Sequence, residues 1–180
     1  MIYCFLAEGF EETEAIAPID MLKRAKKEVI TVGVGGEIIN GAHNIPVKCD
    51  ITAEEIELSV DVEAIILPGG MPGTLNLEKN SIVQSAIDFC VENKKYVCAI
   101  CAAPSILGHK GILEGKEAIA YPGFEKDLKG AKISKKSVVT DGLFITAKGA
   151  GVAVDFGLEI VSNLCSKADA EEIKAAIQCL

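Results

Sequence analysis

Histidine and tryptophan are nearly missing from this chain. Its 180 residues hold two histidines, His43 and His109, and no tryptophan. That scarcity excludes mechanisms and metal sites built on several imidazoles. Positive charge is also short: 18 Lys plus Arg face 26 Asp plus Glu, a net charge of −8. Nucleic acid and anionic membrane are thereby excluded as partners, because phosphate binding needs a basic footprint. No apolar run approaches the roughly 18 residues of a membrane span. The opening Met1-Ile2-Tyr3-Cys4-Phe5-Leu6 is too short for a secretory leader and predicts a buried strand. Pro- or Ser-rich linkers, repeats and low-complexity tracts are absent, so residues 1–180 are expected to form one domain.

What is present is an ordinary globular composition. The hydrophobic fraction is 49% and the charged fraction 24%, too apolar for disorder. Seven cysteines, an odd number, are scattered at Cys4, Cys49, Cys90, Cys98, Cys101, Cys165 and Cys179. A chain long enough to bury its own core needs no disulfide staple. The set therefore predicts free thiols in a reducing, cytoplasmic setting.

Apolar strands alternate with amphipathic segments along the chain. Ile2–Ala7, Val29–Val34, Val62–Leu67 and Tyr96–Ile100 predict buried strands. Thr13–Lys27, with Thr13 as N-cap, and Ser81–Asn93 have helical spacing. A short helix is expected near Ala103-Pro104, where Pro suits the first turn. Ile38–Ile51 is punctuated like a small hairpin. Glu117–Ile145 carries short β-like pieces broken by Pro122-Gly123 and Asp141-Gly142. Gly149–Leu164 and Asp169–Gln178 predict closing helices. This order implies an α/β sandwich with a mostly parallel sheet, whose sites lie at the carboxyl ends of the strands.

The most informative stretch is Tyr96-Val97-Cys98-Ala99-Ile100-Cys101-Ala102-Ala103-Pro104. A strand-to-helix elbow that thrusts out a side chain needs small neighbours, which Ala99, Ala102 and Ala103 supply. A cysteine there meets the positive end of a helix, which favours the reactive thiolate. The alternative is that Cys101 is one more small buried hydrophobe. Cys98 and Cys101 superficially match a dithiol motif. Three residues along a strand, however, separate them by about 10 Å, whereas a disulfide needs Cα atoms within about 7 Å. No second pair offers zinc spacing, so no metal is expected. Gly33-Val34-Gly35-Gly36 and Gly149-Ala150-Gly151 lack the third glycine of a dinucleotide fingerprint. In the acidic cluster Glu8, Glu11, Glu12 and Glu14, Glu14 precedes an apolar run and is expected to turn inward.

Four segments in order resemble the DJ-one branch of the DJ-one (ThiJ/PfpI) superfamily and span essentially the whole chain. They are Ala7-Glu8-Gly9-Phe10-Glu11-Glu12-Thr13-Glu14, Leu67-Pro68-Gly69-Gly70, Ala99-Ile100-Cys101-Ala102-Ala103-Pro104, and Asp141-Gly142 with Gly149-Ala150-Gly151. The resemblance implies a flavodoxin-like three-layer sandwich, a homodimer and no cofactor. It also implies a nucleophilic Cys101 hydrogen-bonded by a protonated Glu14. The amides of Gly70 and Ala102 would surround a developing oxyanion, with Gly69, His43 and Tyr121 as possible pocket residues. Burial and like charge would raise the Glu14 pKa.

Two departures from the family pattern matter. Tyr121 stands where many members carry a histidine, and His43 falls near the position of a frequent arginine. Ala102 stands where the protease-like branch has histidine, so no Cys–His dyad is visible and peptidase activity is not expected. His109 is expected to end the helix after Cys101. Two functions fit these residues. One is a slow, cofactor-free glyoxalase or deglycase acting on methylglyoxal, other small aldehydes or glycated adducts. The other is an oxidative-stress sensor or redox-regulated chaperone that uses the same cysteine. Nothing points to thiazole biosynthesis. An apolar face on the first helix (Ile16, Ile19, Met21) is expected at the two-fold contact.

Overall fold

The first apolar run forms strand β1 (Ile2–Ala7), all six residues buried, in the computed structural model, which describes residues 1–179. Side chains alternate across a strand, so β1 feeds two cores. Ile2, Cys4 and Leu6 join one; Tyr3, Phe5 and Ala7 join the other. Next come α1 (Glu12–Arg24), β2 (Val29–Val34), β3 (Ile38–Asn40), β4 (Pro46–Lys48) and β5 (Ile51–Thr52). The middle of the chain forms β6 (Ala64–Leu67), α2 (Gly73–Lys79), α3 (Ser81–Glu92), β7 (Tyr96–Ile100) and α4 (Pro104–His109). It closes with β8 (Glu117–Ala118), β9 (Lys132–Ile133), β10 (Val138–Asp141), β11 (Phe144–Ala147), α5 (Ala153–Leu164) and α6 (Lys167–Ala176).

Seven strands make one sheet in the order β10-β11-β7-β6-β1-β2-β5. Every neighbouring pair is parallel except β10 with β11. The expected hairpin is the separate antiparallel pair β3–β4. Helices cover both faces, as a parallel sheet of buried strands demands. Ala15, Ile19 and Leu22 of α1 pack with Phe156, Ile160 and Val161 of α5 and Ile173 of α6 on one face. Val83, Ala86 and Ile87 of α3 and Ile106 and Leu107 of α4 cover the other. The architecture is the expected flavodoxin-like three-layer sandwich. From β1 the chain runs outward to β2 and β5, then returns to β6 on the opposite side. The switch point therefore lies between β1 and β6, where ligands bind in such sheets.

Several expected details are corrected. Helix α1 begins at Glu12, and its N-cap is Glu11, whose side chain accepts the Glu14 N–H. Thr13 lies inside the first turn, with helical backbone already begun at Glu12, and caps nothing. Helix α2 was not anticipated; its seven residues are too few to show a helical period. Ile19 and Met21 are buried inside the chain, leaving Ile16 as the exposed apolar residue of α1. All seven cysteines are free. No helix among the described residues is long and apolar enough to cross a membrane.

Candidate active site

Three strand ends converge at the switch point: the turn after β1, the Pro68–Gly70 loop after β6, and Cys101 after β7. Cys101 adopts φ +64°, the left-handed region. A residue with a Cβ is disfavoured there by roughly 1–2 kcal/mol. The elbow is held by its own backbone: the Cys101 N–H donates to the Ala147 carbonyl at 2.9 Å, and the Cys101 carbonyl accepts the Tyr121 N–H at 2.8 Å. Ala99, Ala102 and Ala103 are all buried against this turn, as their small size allows. Cys101 itself is half-buried.

Glu14 turns inward as expected and is only 1% exposed. Its Oε2 accepts the Gly69 N–H at 2.9 Å, and Cys101 and the Ala150 N–H also act on the carboxyl, both favouring its charged form. The Glu11 cap fixes the turn that aims it, with the Glu14 N–H at 2.7 Å from Glu11 Oε2. Gly69 is required by space. A Cβ there would lie 2.6 Å from both Cys101 Cβ and Glu14 Oε2. The amides of Gly70 and Ala102 act on the Cys101 sulfur and favour its charged form. Gly70 holds φ +89°, and a Cβ on it would strike the Glu11 amide at 2.4 Å.

Protonation follows from this packing. Burial lifts the Glu14 carboxyl to about 7, against the lowering pull of Cys101 and two amides. Burial, and then the neighbouring Glu14 carboxylate, push the Cys101 thiol up to about 12, although the Gly70 and Ala102 amides pull it down. The expectation that a helix end would lower this thiol is thus corrected. Helix α4 is short and begins three residues later, at Pro104, so its dipole is outweighed. The two groups form one acid pair that gives up its first proton near neutrality and keeps the second. Cys98 shows the contrast: fully buried in β7, its thiol is raised by burial with no donor to offset it.

The outer residues divide. Tyr121 is half exposed and faces Gly149, which separates it from Glu14. A Cβ on Gly149 would sit 3.2 Å from its ring and 3.9 Å from Glu14 Oε1. It lines an open pocket of about 340 Å³ with Pro122, Lys148 and Gly149–Val152. His43 does not join the pair. Its Nδ1 lies 2.8 Å from Glu12 Oε2, its backbone N–H donates to Glu12 Oε1, and its side chain is 68% exposed. The Glu12 hydrogen bond raises the His43 pKa. Glu11, Glu12 and His43 cluster closely, but Glu11 caps α1 and Glu12 holds the His43 loop. His109 ends α4 as expected, against Glu78 and Asp127. The Ala150 amide was missed in the sequence, because a backbone donor leaves no trace in residue type.

The sequence profile of the DJ-1/PfpI family matches residues 1–163. Protein dj-1beta of Drosophila melanogaster is 32% identical over 171 residues, covering 93% of this chain and 91% of that protein. A protein named as a deglycase from Pyrococcus abyssi is 32% identical over 148 residues, covering 81% of this chain and 87% of that protein. Among solved structures, oxidized Toxoplasma gondii DJ-1 superimposes with a TM-score of 0.94 at 28% identity, covering 98% of this chain and 97% of that one.

Proposed function

Because this chain belongs to the DJ-1/PfpI family, we propose that it is a cofactor-independent glyoxalase or deglycase whose nucleophile is Cys101 and whose acid–base group is Glu14. The observation that carries the reading is the buried Glu14 carboxyl set against the elbow cysteine across Gly69, with the Gly70 and Ala102 amides acting on the sulfur. The name of the Pyrococcus abyssi relative supports the same class.

The chemistry balances with water as the only co-reactant. From the state with a proton on Glu14 and charge on sulfur, the thiolate adds to the aldehyde carbon of methylglyoxal. Glu14 protonates the resulting oxyanion, which the two amides stabilise meanwhile. As carboxylate, Glu14 then carries the proton from that carbon to the neighbouring carbonyl oxygen, giving an enediol, and carries the proton of the first hydroxyl to the adjacent carbon, ending again as carboxylate. One carbon is oxidised and its neighbour reduced, leaving a lactoyl thioester. Water cleaves it to lactate and restores Cys101.

Lactate formation from methylglyoxal tests this. Wild type should turn over, and Cys101→Ala and Glu14→Gln should each abolish it. No turnover by wild type would overturn the enzyme reading.

A second reading, an oxidation sensor, is favoured by the same amides, which suit the oxygens of a sulfinate. Its similarity to an oxidized DJ-1 structure supports it. Limiting peroxide followed by peptide mapping should then modify Cys101 before the more exposed Cys165. A homodimer with Ile16 near its two-fold contact completes the proposal.

A further inference from the structure

We infer that the pocket beside Glu14 is a carboxylate subsite, with Lys148 as its anchor, and that it selects α-oxoaldehydes carrying an acid group at the far end. The inference rests on Cys101 and Glu14 being the reacting pair. The wall residue Gly149 joins pocket to pair, since a Cβ there would touch Tyr121 at 3.2 Å and approach Glu14 Oε1 to 3.9 Å. Around the space, the Tyr121 ring, Pro122, Gly149, Gly151 and Val152 offer little polarity. The Ala150 amide acts on Glu14. Lys148 is the one charged side chain lining the pocket. It is exposed and forms no ion pair among the described residues.

Charge elsewhere sharpens the point. A chain of net charge −8 repels anions at long range. Lys148, lining a pocket that meets Glu14 across Gly149, is therefore the local cation able to reverse that preference. The Lys148 N–H donates to the Ser137 carbonyl at 2.9 Å, which fixes the Lys148 backbone at the pocket wall. A ligand with its aldehyde at Cys101 would run past Glu14 along the Tyr121 ring and place its other end at Lys148. Small apolar walls suit a short methylene chain, and the ammonium suits a carboxylate.

The probes are OHC–CO–CH2–CH2–CO2⁻ and its methyl ester. The reaction is the one above, converting the α-oxoaldehyde and water into the α-hydroxy acid. In wild type, kcat/KM should favour the acid over the ester and fall with added salt for the acid alone. Lys148→Gln should lower kcat/KM for the acid about tenfold, roughly 1.4 kcal/mol, and leave the ester unchanged. Lys148→Arg should retain the preference. Turnover of both probes with no preference, or an equal loss on both in Lys148→Gln, overturns the subsite and spares the pair. A second arm reads the subsite independently of turnover. Calorimetric binding of the acid to Cys101→Ala should persist and should be lost when Lys148→Gln is added. Binding that ignores Lys148 overturns the inference. Failure of wild type to turn over methylglyoxal, by contrast, counts against the proposed function.

Discussion

Glu14 and Cys101 hold one labile proton between them near neutrality, and two measurable consequences follow at this scale. With the first proton leaving at about 7 and the second held to about 12, kcat/KM for methylglyoxal should rise with pH through about 7 and then stay level. A profile flat from pH 5 to 8 would contradict the assignment. Stability should move the other way. The Glu14 pKa is raised on folding, so the folded state binds the proton more tightly than the unfolded chain. The stabilisation is complete below the ordinary carboxylate range and is lost as pH rises through about 7. At about 1.4 kcal/mol per pKa unit, the loss is on the order of 3 kcal/mol. Urea midpoints should therefore fall between pH 4.5 and 7.5 for wild type relative to Glu14→Gln, which lacks the titrating group. Parallel curves for the two proteins would show that the carboxyl titrates as in an unfolded chain. The sequence made Cys101 legible, because its small neighbours announce an elbow. Its protonation was not legible, since burial and a carboxylate fifty-odd positions from Gly69 set it.

Helix α1 carries Glu14 to the site, and its placement depends on close packing against α5. Gly157 lies where a Cβ would approach Pro18 Cα to 2.8 Å and Met21 Cβ to 3.0 Å. Alanine normally gains about 1 kcal/mol over glycine within a helix. Here the obstructing atom is backbone and cannot swing aside, so overpacking at about 1–3 kcal/mol should win. Gly157→Ala should lower the thermal midpoint and, by shifting α1, slow aldehyde turnover as well. A variant more stable than wild type would mean that the two helices separate freely. Residue periodicity revealed the long helices and the buried strands. It missed the seven-residue α2 and misplaced the cap of α1, whose helix begins at Glu12 and so leaves Thr13 inside the first turn.

For the molecule as a whole, assembly is the open expectation. Only Ile16 remains as an exposed apolar group on α1, 46% exposed, after Ile19 and Met21 are absorbed by the core. A dimer of about 38 kDa, twice 19.0 kDa, should appear in light scattering, more tightly with moderate salt because two chains of net charge −8 repel. Ile16→Glu should shift it toward the single-chain mass, the substitution counting twice in a symmetric contact. A single-chain mass for wild type throughout the micromolar range would exclude the dimer. The sequence by itself determined the layered α/β architecture, because buried parallel strands need apolar residues on both faces and their connecting helices need one apolar stripe. It also determined the elbow at Cys101, because only small residues fit around such a turn. Which groups meet there was decided by the tertiary structure alone. The crossover from β5 back to β6 sets the Gly69–Gly70 loop against α1, and only that juxtaposition buries Glu14 beside the sulfur. It likewise pairs His43 with Glu12 and leaves Tyr121 and Lys148 at the pocket, since long-range contact depends on sheet order and not on local pattern.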